Sequence, residues 1–144
     1  MRSERIEIDD VMALYVGLHS PIMMKKYLEA RQKAIMHNVP QANLVLGRTY
    51  GVLLWLEQLE QLCILAGMTR RDAKLFRQYR FLNDYSRERL KTKFIDGIMR
   101  LGNTREDAYI LYEFIAYSAC DTWKRTGVAE HVRQFVKVQN SMMP

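Results

Sequence analysis

Arg70, Lys74 and Arg77 stand at i, i+4 and i+7, a spacing that brings three cations onto one face of a helix, and Arg71 flanks them. Arg80, Arg87, Arg89, Lys91 and Lys93 extend the run, so residues 70–93 carry nine basic side chains against three acids, Asp72, Asp84 and Glu88. The net charge of this stretch, +6, equals that of the whole chain. Its chemistry is electrostatic: ammonium and guanidinium groups neutralise phosphates and release their counterions, and an arginine near a helix start can also reach the guanine edge in the major groove. On this reading Arg70, Arg71, Lys74 and Arg77 face the major groove of double-stranded DNA, while Arg80, Arg87, Arg89, Lys91 and Lys93 contact phosphates. The same pattern also suits a solvated basic face beside a packed helix.

Other chemistries find little footing. His19, His37 and His131 have no His or acid partner at i+3 or i+4 on a shared inward face, so no metal site and no cofactor is expected. Phosphate-cradling glycine loops, nucleophile elbows and H-E-x-x-H signatures are missing from the sequence. Asp9-Asp10 and Glu106-Asp107 are paired acids, but each pair sits in the first turn of a helical pattern, where dipole and capping effects account for it and the carboxylates should be solvated. Enzymatic activity is therefore not expected. Cys63 and Cys120 lie in apolar helical patterns without C-x-x-C spacing and read as buried, reduced thiols, which points to the cytoplasm.

The elements that must hold the basic run are helical. Hydrophobic residues recur with a 3.6-residue period, and no alternating strand pattern or Asn-Gly hairpin signal interrupts them. The fold expected is all-α, one domain over residues 1–144, a bundle of about six or seven helices. Helices are expected at 6–18, at 21–38 behind Ser20-Pro21, at 42–66, at 70–83, at 87–101 behind Ser86, from 105 up to Thr126-Gly127, and at 128–139, with a fraying tail from Asn140. The third is the most apolar, and its breadth implies packing on more than one side, in the monomer core or at a subunit interface. Gly67-Met68-Thr69-Arg70-Arg71-Asp72-Ala73 and Gly102-Asn103-Thr104-Arg105-Glu106-Asp107-Ala108 share the pattern G-x-T-R-x-D-A. A duplicated helical hairpin could produce this, but a glycine stop followed by a threonine cap selects the same residues unaided.

Residues 52–83 form a candidate helix-turn-helix. Gly67 permits the tight turn, Cys63 is the small residue four before it, Leu62 and Met68 are apolar flanks, and Ala73 and Phe76 lock the second helix onto the first. This spacing resembles the helix-turn-helix of bacterial and phage regulators. Arg100-Leu101-Gly102, with Ala108 and the helix to Lys124-Arg125-Thr126, resembles the R-L-G-x-x-x-x-x-A stretch of the FlhD subunit of bacterial flagellar master activators. Thr69-Arg70 is similar to a basic helix start in the FlhC partner. The resemblance implies a helical DNA-binding activator that works as a hetero-oligomer.

Size and composition agree with a folded domain: 49% hydrophobic and 26% charged residues over 144 positions, with a pI near 9.4 that favours polyanionic partners. No signal-peptide core follows the first charges, and no uninterrupted apolar run is long enough to span a membrane. The function expected is a cytoplasmic DNA-binding transcriptional regulator of a bacterium or mobile element, a homodimer or hetero-oligomer. The alternative is a helical interaction module (an adaptor, inhibitor or secretion chaperone) whose basic helix docks an acidic partner and whose nine methionines give an adaptable apolar surface.

Overall fold

The computed structural model describes residues 8–17 and 19–142, which form an all-α, single-domain bundle without strands. Eight α-helices are described: α1 (Ile8–Gly17), α2 (Pro21–Gln32), α3 (Pro40–Leu46), α4 (Leu56–Leu65), α5 (Arg70–Arg77), α6 (Asp84–Arg100), α7 (Arg105–Ser118) and α8 (Arg125–Met142). Short 3-10 turns cover Gly47–Thr49, Tyr79–Phe81 and Ala119–Asp121. Ile6 and Leu18, given to the first helix from sequence, lie outside the described residues, as do Met143 and Pro144 of the tail. No described helix is long and apolar enough to cross a membrane.

Several expected helix boundaries are corrected. The second helix ends at Gln32 and not near Asn38, because Lys33 turns extended and Ile35 gives its N–H to the Tyr50 carbonyl at 2.9 Å. The expected helix 42–66 is two helices separated by an extended stretch. After the 3-10 turn, Tyr50 (φ 57°) and Gly51 (φ 89°) both take left-handed backbone, and residues 52–55 run straight before α4 begins. A Cβ on Gly51 would lie 2.0 Å from the Ile35 carbonyl oxygen, so the glycine permits the close approach as well as the turn. The basic helix stops at Arg77, and α6 starts behind Asn83, whose side chain accepts the Ser86 N–H at 2.8 Å; Ser86 is capped and is not the cap. Finally α7 ends at Ser118 and α8 begins at Arg125, so Thr126 and Gly127 lie inside a helix, and Asn140 continues it.

Residues 52–55 divide two cores. Leu53 points into one with Leu46, Leu59, Leu62, Phe76, Phe94, Leu111 and Ile115; Val52 and Leu54 point into the other with Met12, Val16, Met23, Tyr27 and Val128. Over residues 52–54 this alternation is that of a strand, until Trp55 joins Leu54 in the second core, and no sheet receives it. Its polar backbone is satisfied piecemeal. Trp123 donates to the Leu54 carbonyl at 3.0 Å and accepts the Leu56 N–H at 2.8 Å, while the buried Gln58 amide oxygen accepts the N–H groups of Leu54 and Trp55 at 3.1 and 3.0 Å. Gln58 in turn donates to Thr49 at 2.8 Å.

Asp9 and Asp10, expected to be solvated, are only 7% and 5% exposed. Asp10 accepts the Tyr27 hydroxyl at 2.6 Å and the Arg31 Nε at 3.1 Å, fastening α1 to α2. Asp9 lies 3.1 Å from Arg125 Nε and 3.5 Å from Arg48 Nε, reaching α8 and the 3-10 turn after α3. Burial first, and then the bond to Asp10, hold the Tyr27 phenol protonated well above the ordinary range for tyrosine. By contrast Glu106 is exposed, and Asp107 takes part in surface capping beside Thr104.

Replacing Asp10 with alanine strips Tyr27 and Arg31 of a buried partner and should cost about 2–4 kcal/mol in urea unfolding, whereas Glu106→Ala should stay within about 0.5 kcal/mol. Equal effects at the two sites would overturn the assignment of Asp10 to a structural charge network.

Candidate nucleic-acid interface

The helix pair at α4 and α5 is built by its turn. Met68 donates its N–H to the Cys63 carbonyl at 2.8 Å and Gly67 to the Ile64 carbonyl at 2.9 Å, with Gly67 at φ 75°, which closes α4 in a Schellman motif. Thr69 and Asp72 then cap α5 reciprocally: the Asp72 carboxylate accepts the Thr69 N–H at 2.9 Å, and the Thr69 hydroxyl accepts the Asp72 N–H at 3.3 Å. Ala73 and Phe76 are fully buried against α4 and its surroundings, as the hairpin spacing requires. The second glycine–threonine pair is equally local. Gly102 is left-handed at φ 100°, Thr104 accepts the Asp107 N–H at 3.1 Å, and capping accounts for both copies of the pattern.

Helix α6 returns antiparallel beside α5. Near its start Arg87 reaches back to the turn after α5, and near its end Gly97 lies against Ala66, where a Cβ would stand 1.8 Å from the carbonyl oxygen. No flexible side chain could yield there; the obstacle is backbone.

The expected basic residues separate into three groups. Arg70, Arg71 and Lys74 are exposed on the outer side of α5, and Arg70 has one distant acid, Glu60, at 4.0 Å. Asp72, the sole acid of α5, is turned inward by its capping bonds. Arg80, Arg89 and Lys93 are likewise exposed, the last two one turn apart on α6. Arg77, Arg87 and Lys91 differ. Arg77 is half-buried and donates through Nη2 to the Thr122 carbonyl at 3.1 Å, so it anchors the loop before α8 and does not belong to the outer face. Arg87 donates to the carbonyls of Tyr79 (3.1 Å) and Arg80 (2.9 Å), with its guanidinium 5.1 Å from the Tyr79 ring. Lys91 lies 5.1 Å over the Tyr109 ring.

Three residues of this surface were not picked out from sequence. Arg100 joins Lys93, Thr69, Asp72 and Asp96 around a groove of about 280 Å³ beside the turn, and its i+7 spacing from Lys93 carried that signal. Tyr85 stands at i−4 from Arg89 and i−8 from Lys93, on the same strip of α6. Phe81 gave no periodic signal, because the helix it would have extended ends at Arg77. Cys63 is fully buried in the hairpin, and burial together with Asp72 and Glu60 pushes its thiol up to about 12. Cys120 is only half-buried, a partial correction to the expectation that both are buried.

Among known proteins, no family model, no curated protein and no solved structure matches this chain.

Gly97→Ala should lower stability by about 1–3 kcal/mol or more by forcing α6 off the turn, while Gly47→Ala, with open space around its Cβ position and right-handed backbone, should be neutral or stabilising by about 0.4–1 kcal/mol. Thermal unfolding of the two variants separates these outcomes. Because the native Cys63 pKa lies above its ordinary value of 9.0, the stability it contributes is complete below that value and is lost as pH rises toward about 12. A Cys63→Ala variant should lack that part of the alkaline slope in denaturant titrations, and an unchanged slope would contradict the burial-driven shift.

Proposed function

We propose that this chain is a DNA-binding regulator that sets the outer face of α5 against duplex DNA and lines the flanking phosphates with α6. One observation carries the reading: Arg70, Arg71 and Lys74 stand exposed on α5, the second helix of a capped helical hairpin, and the only acid of α5, Asp72, is folded inward. With Glu60 at 4.0 Å from Arg70 as its nearest carboxylate, this outer face keeps most of its attraction for phosphates, and it lies away from the helices that pack α5 from within. Arg80 continues the positive surface past the end of α5, Arg89 and Lys93 carry it along α6, and Lys93 and Arg100 stand beside the turn that starts α5. Arg77, Arg87 and Lys91 support it from behind: Arg77 fixes α5 to the loop at Thr122, and Arg87 fixes the turn that carries Arg80. An eight-residue recognition helix offers little more than two turns to the groove, which suits a protein that binds as a dimer or with a partner.

A second reading, an interaction module without DNA affinity, is favoured by a different surface. Ile8, Val11 and Leu14 are exposed at successive turns of α1, beside the second core, and offer an apolar face to another chain.

Fluorescence anisotropy with random-sequence duplex DNA at two salt concentrations distinguishes these readings. Wild-type binding should weaken steeply with salt, and Arg71→Ala/Lys74→Ala should reduce both the affinity and the salt slope, the latter by about one to two phosphate equivalents. An unchanged slope would remove α5 from the interface, and no binding at low salt would favour the interaction module.

A further inference from the structure

Phe81 and Tyr85 are 80% and 79% exposed, the two most exposed of the aromatic side chains described, with Tyr117 next at 78%. Single exposed apolar residues are ordinary, but these two stand four positions apart at the junction of α5 and α6, among the cations already described. The Arg80 guanidinium lies 5.6 Å from the Phe81 ring centroid. Tyr85 opens onto a shallow groove of about 320 Å³ that it shares with Arg89, Lys93, Thr92 and one carboxylate, Glu88.

The turn bearing these rings is held from several sides. Arg87 donates to two successive carbonyls, those of Tyr79 and Arg80, directly before Phe81. The Tyr79 ring stacks on Phe76 at 6.3 Å and its hydroxyl bonds that of Tyr112, so the residue two before Phe81 is rooted in the core. Asn83 then caps α6 one turn before Arg87. A phenyl ring set out on a braced turn loses little conformational freedom when something flat covers it, which is the condition for efficient stacking.

We infer that Phe81 and Tyr85 form a stacking platform for the unpaired bases of a single DNA strand, with Arg80, Arg89 and Lys93 holding its phosphates. Every base has a π-face, so an exposed aromatic ring accepts bases without regard to sequence, and adjacent cations follow the sugar-phosphate backbone. Paired bases bury those faces in the duplex stack; only an unpaired strand can present them. The mixed aromatic and cationic character of the site fits this partner better than an acidic protein, which would use the cations and leave the rings in water. The inference rests on the DNA-binding reading above and adds a second contact, for an opened strand, next to the duplex contact on α5.

The test is anisotropy with three labelled probes of about twenty units each: an oligothymidylate, an abasic strand of the same length, and a duplex. Phe81→Ala/Tyr85→Ala removes only exposed groups, and circular dichroism checks that the helices are unchanged. It should weaken oligothymidylate binding by about tenfold or more and duplex binding by less than about threefold, and the wild-type protein should bind the abasic strand about as weakly as the variant binds oligothymidylate. Phe81→Trp should retain the affinity for the strand. Wild-type binding of the abasic strand as tightly as oligothymidylate, or a double variant that binds the strand normally, would overturn the platform while leaving the duplex reading standing. Binding of the duplex without any binding of the strand would do the same. No binding of any probe at low salt would remove both readings.

Discussion

An extended segment buried without a sheet is the constraint on which this fold depends. Residues 52–55 pass through the interior between two clusters of apolar side chains, and a backbone there must find hydrogen-bond partners or lose free energy comparable to each missing bond. One partner comes from a distance, Trp123 from the loop before α8, while Gln58 in the first turn of α4 and Thr49 in the 3-10 turn reach the segment from three or four residues away. Each has its own reason to be where it is. Trp123 is positioned by the loop that Arg77 grips at Thr122, so the inward-facing arginine of the basic helix also steadies the segment at the centre. The inner side of α5 is thus committed to the core and to the loop before α8.

Charge is divided in the same way. Asp9 and Asp10 fasten α1 to α2, α8 and the turn after α3 through arginines that would otherwise add to the positive surface. Glu57 lends both carboxylate oxygens to the N–H groups of Arg125 and Thr126, at 2.9 and 3.0 Å, where the start of α8 favours negative charge. Acids placed inside or at caps leave the outer side of α5 positive, with Glu60 beside Arg70 as the exception. A net charge of +6 is modest, but its concentration there follows from where the carboxylates are used.

The helical hairpin was legible in the sequence because its signals are local. Gly67, Thr69 and Asp72 act on neighbours within a few residues, and Ala73 and Phe76 fall at the spacing that packing requires. Residues 42–66 read as one helix because periodicity cannot distinguish a continuous buried helix from two helices joined by a buried extended stretch. Tyr50-Gly51 was the available sign of a break, and the need for it arises from Ile35, which is remote in sequence. Asp9 and Asp10 carried no sign of burial, since Tyr27, Arg31, Arg48 and Arg125 reach them only through tertiary packing. For the same reason Arg77 looked like its neighbours: one further turn of α5 brings it to the edge of the core, and Thr122 is the acceptor that draws it in.

The pairing of Trp55 with Trp123 has a consequence in time. The hairpin, α6 and α7 meet mostly through contacts between neighbours along the chain, and such contacts close quickly because short loops cost little entropy. The second core cannot close in this way, since it joins α1 and α2 to Val128 and Val132 at the far end of the chain. On a ribosome Val128 and Val132 emerge after the hairpin, α6 and α7, so the basic surface can be assembled while the second core still lacks its lid. The late arrival of Trp123 then registers one half against the other.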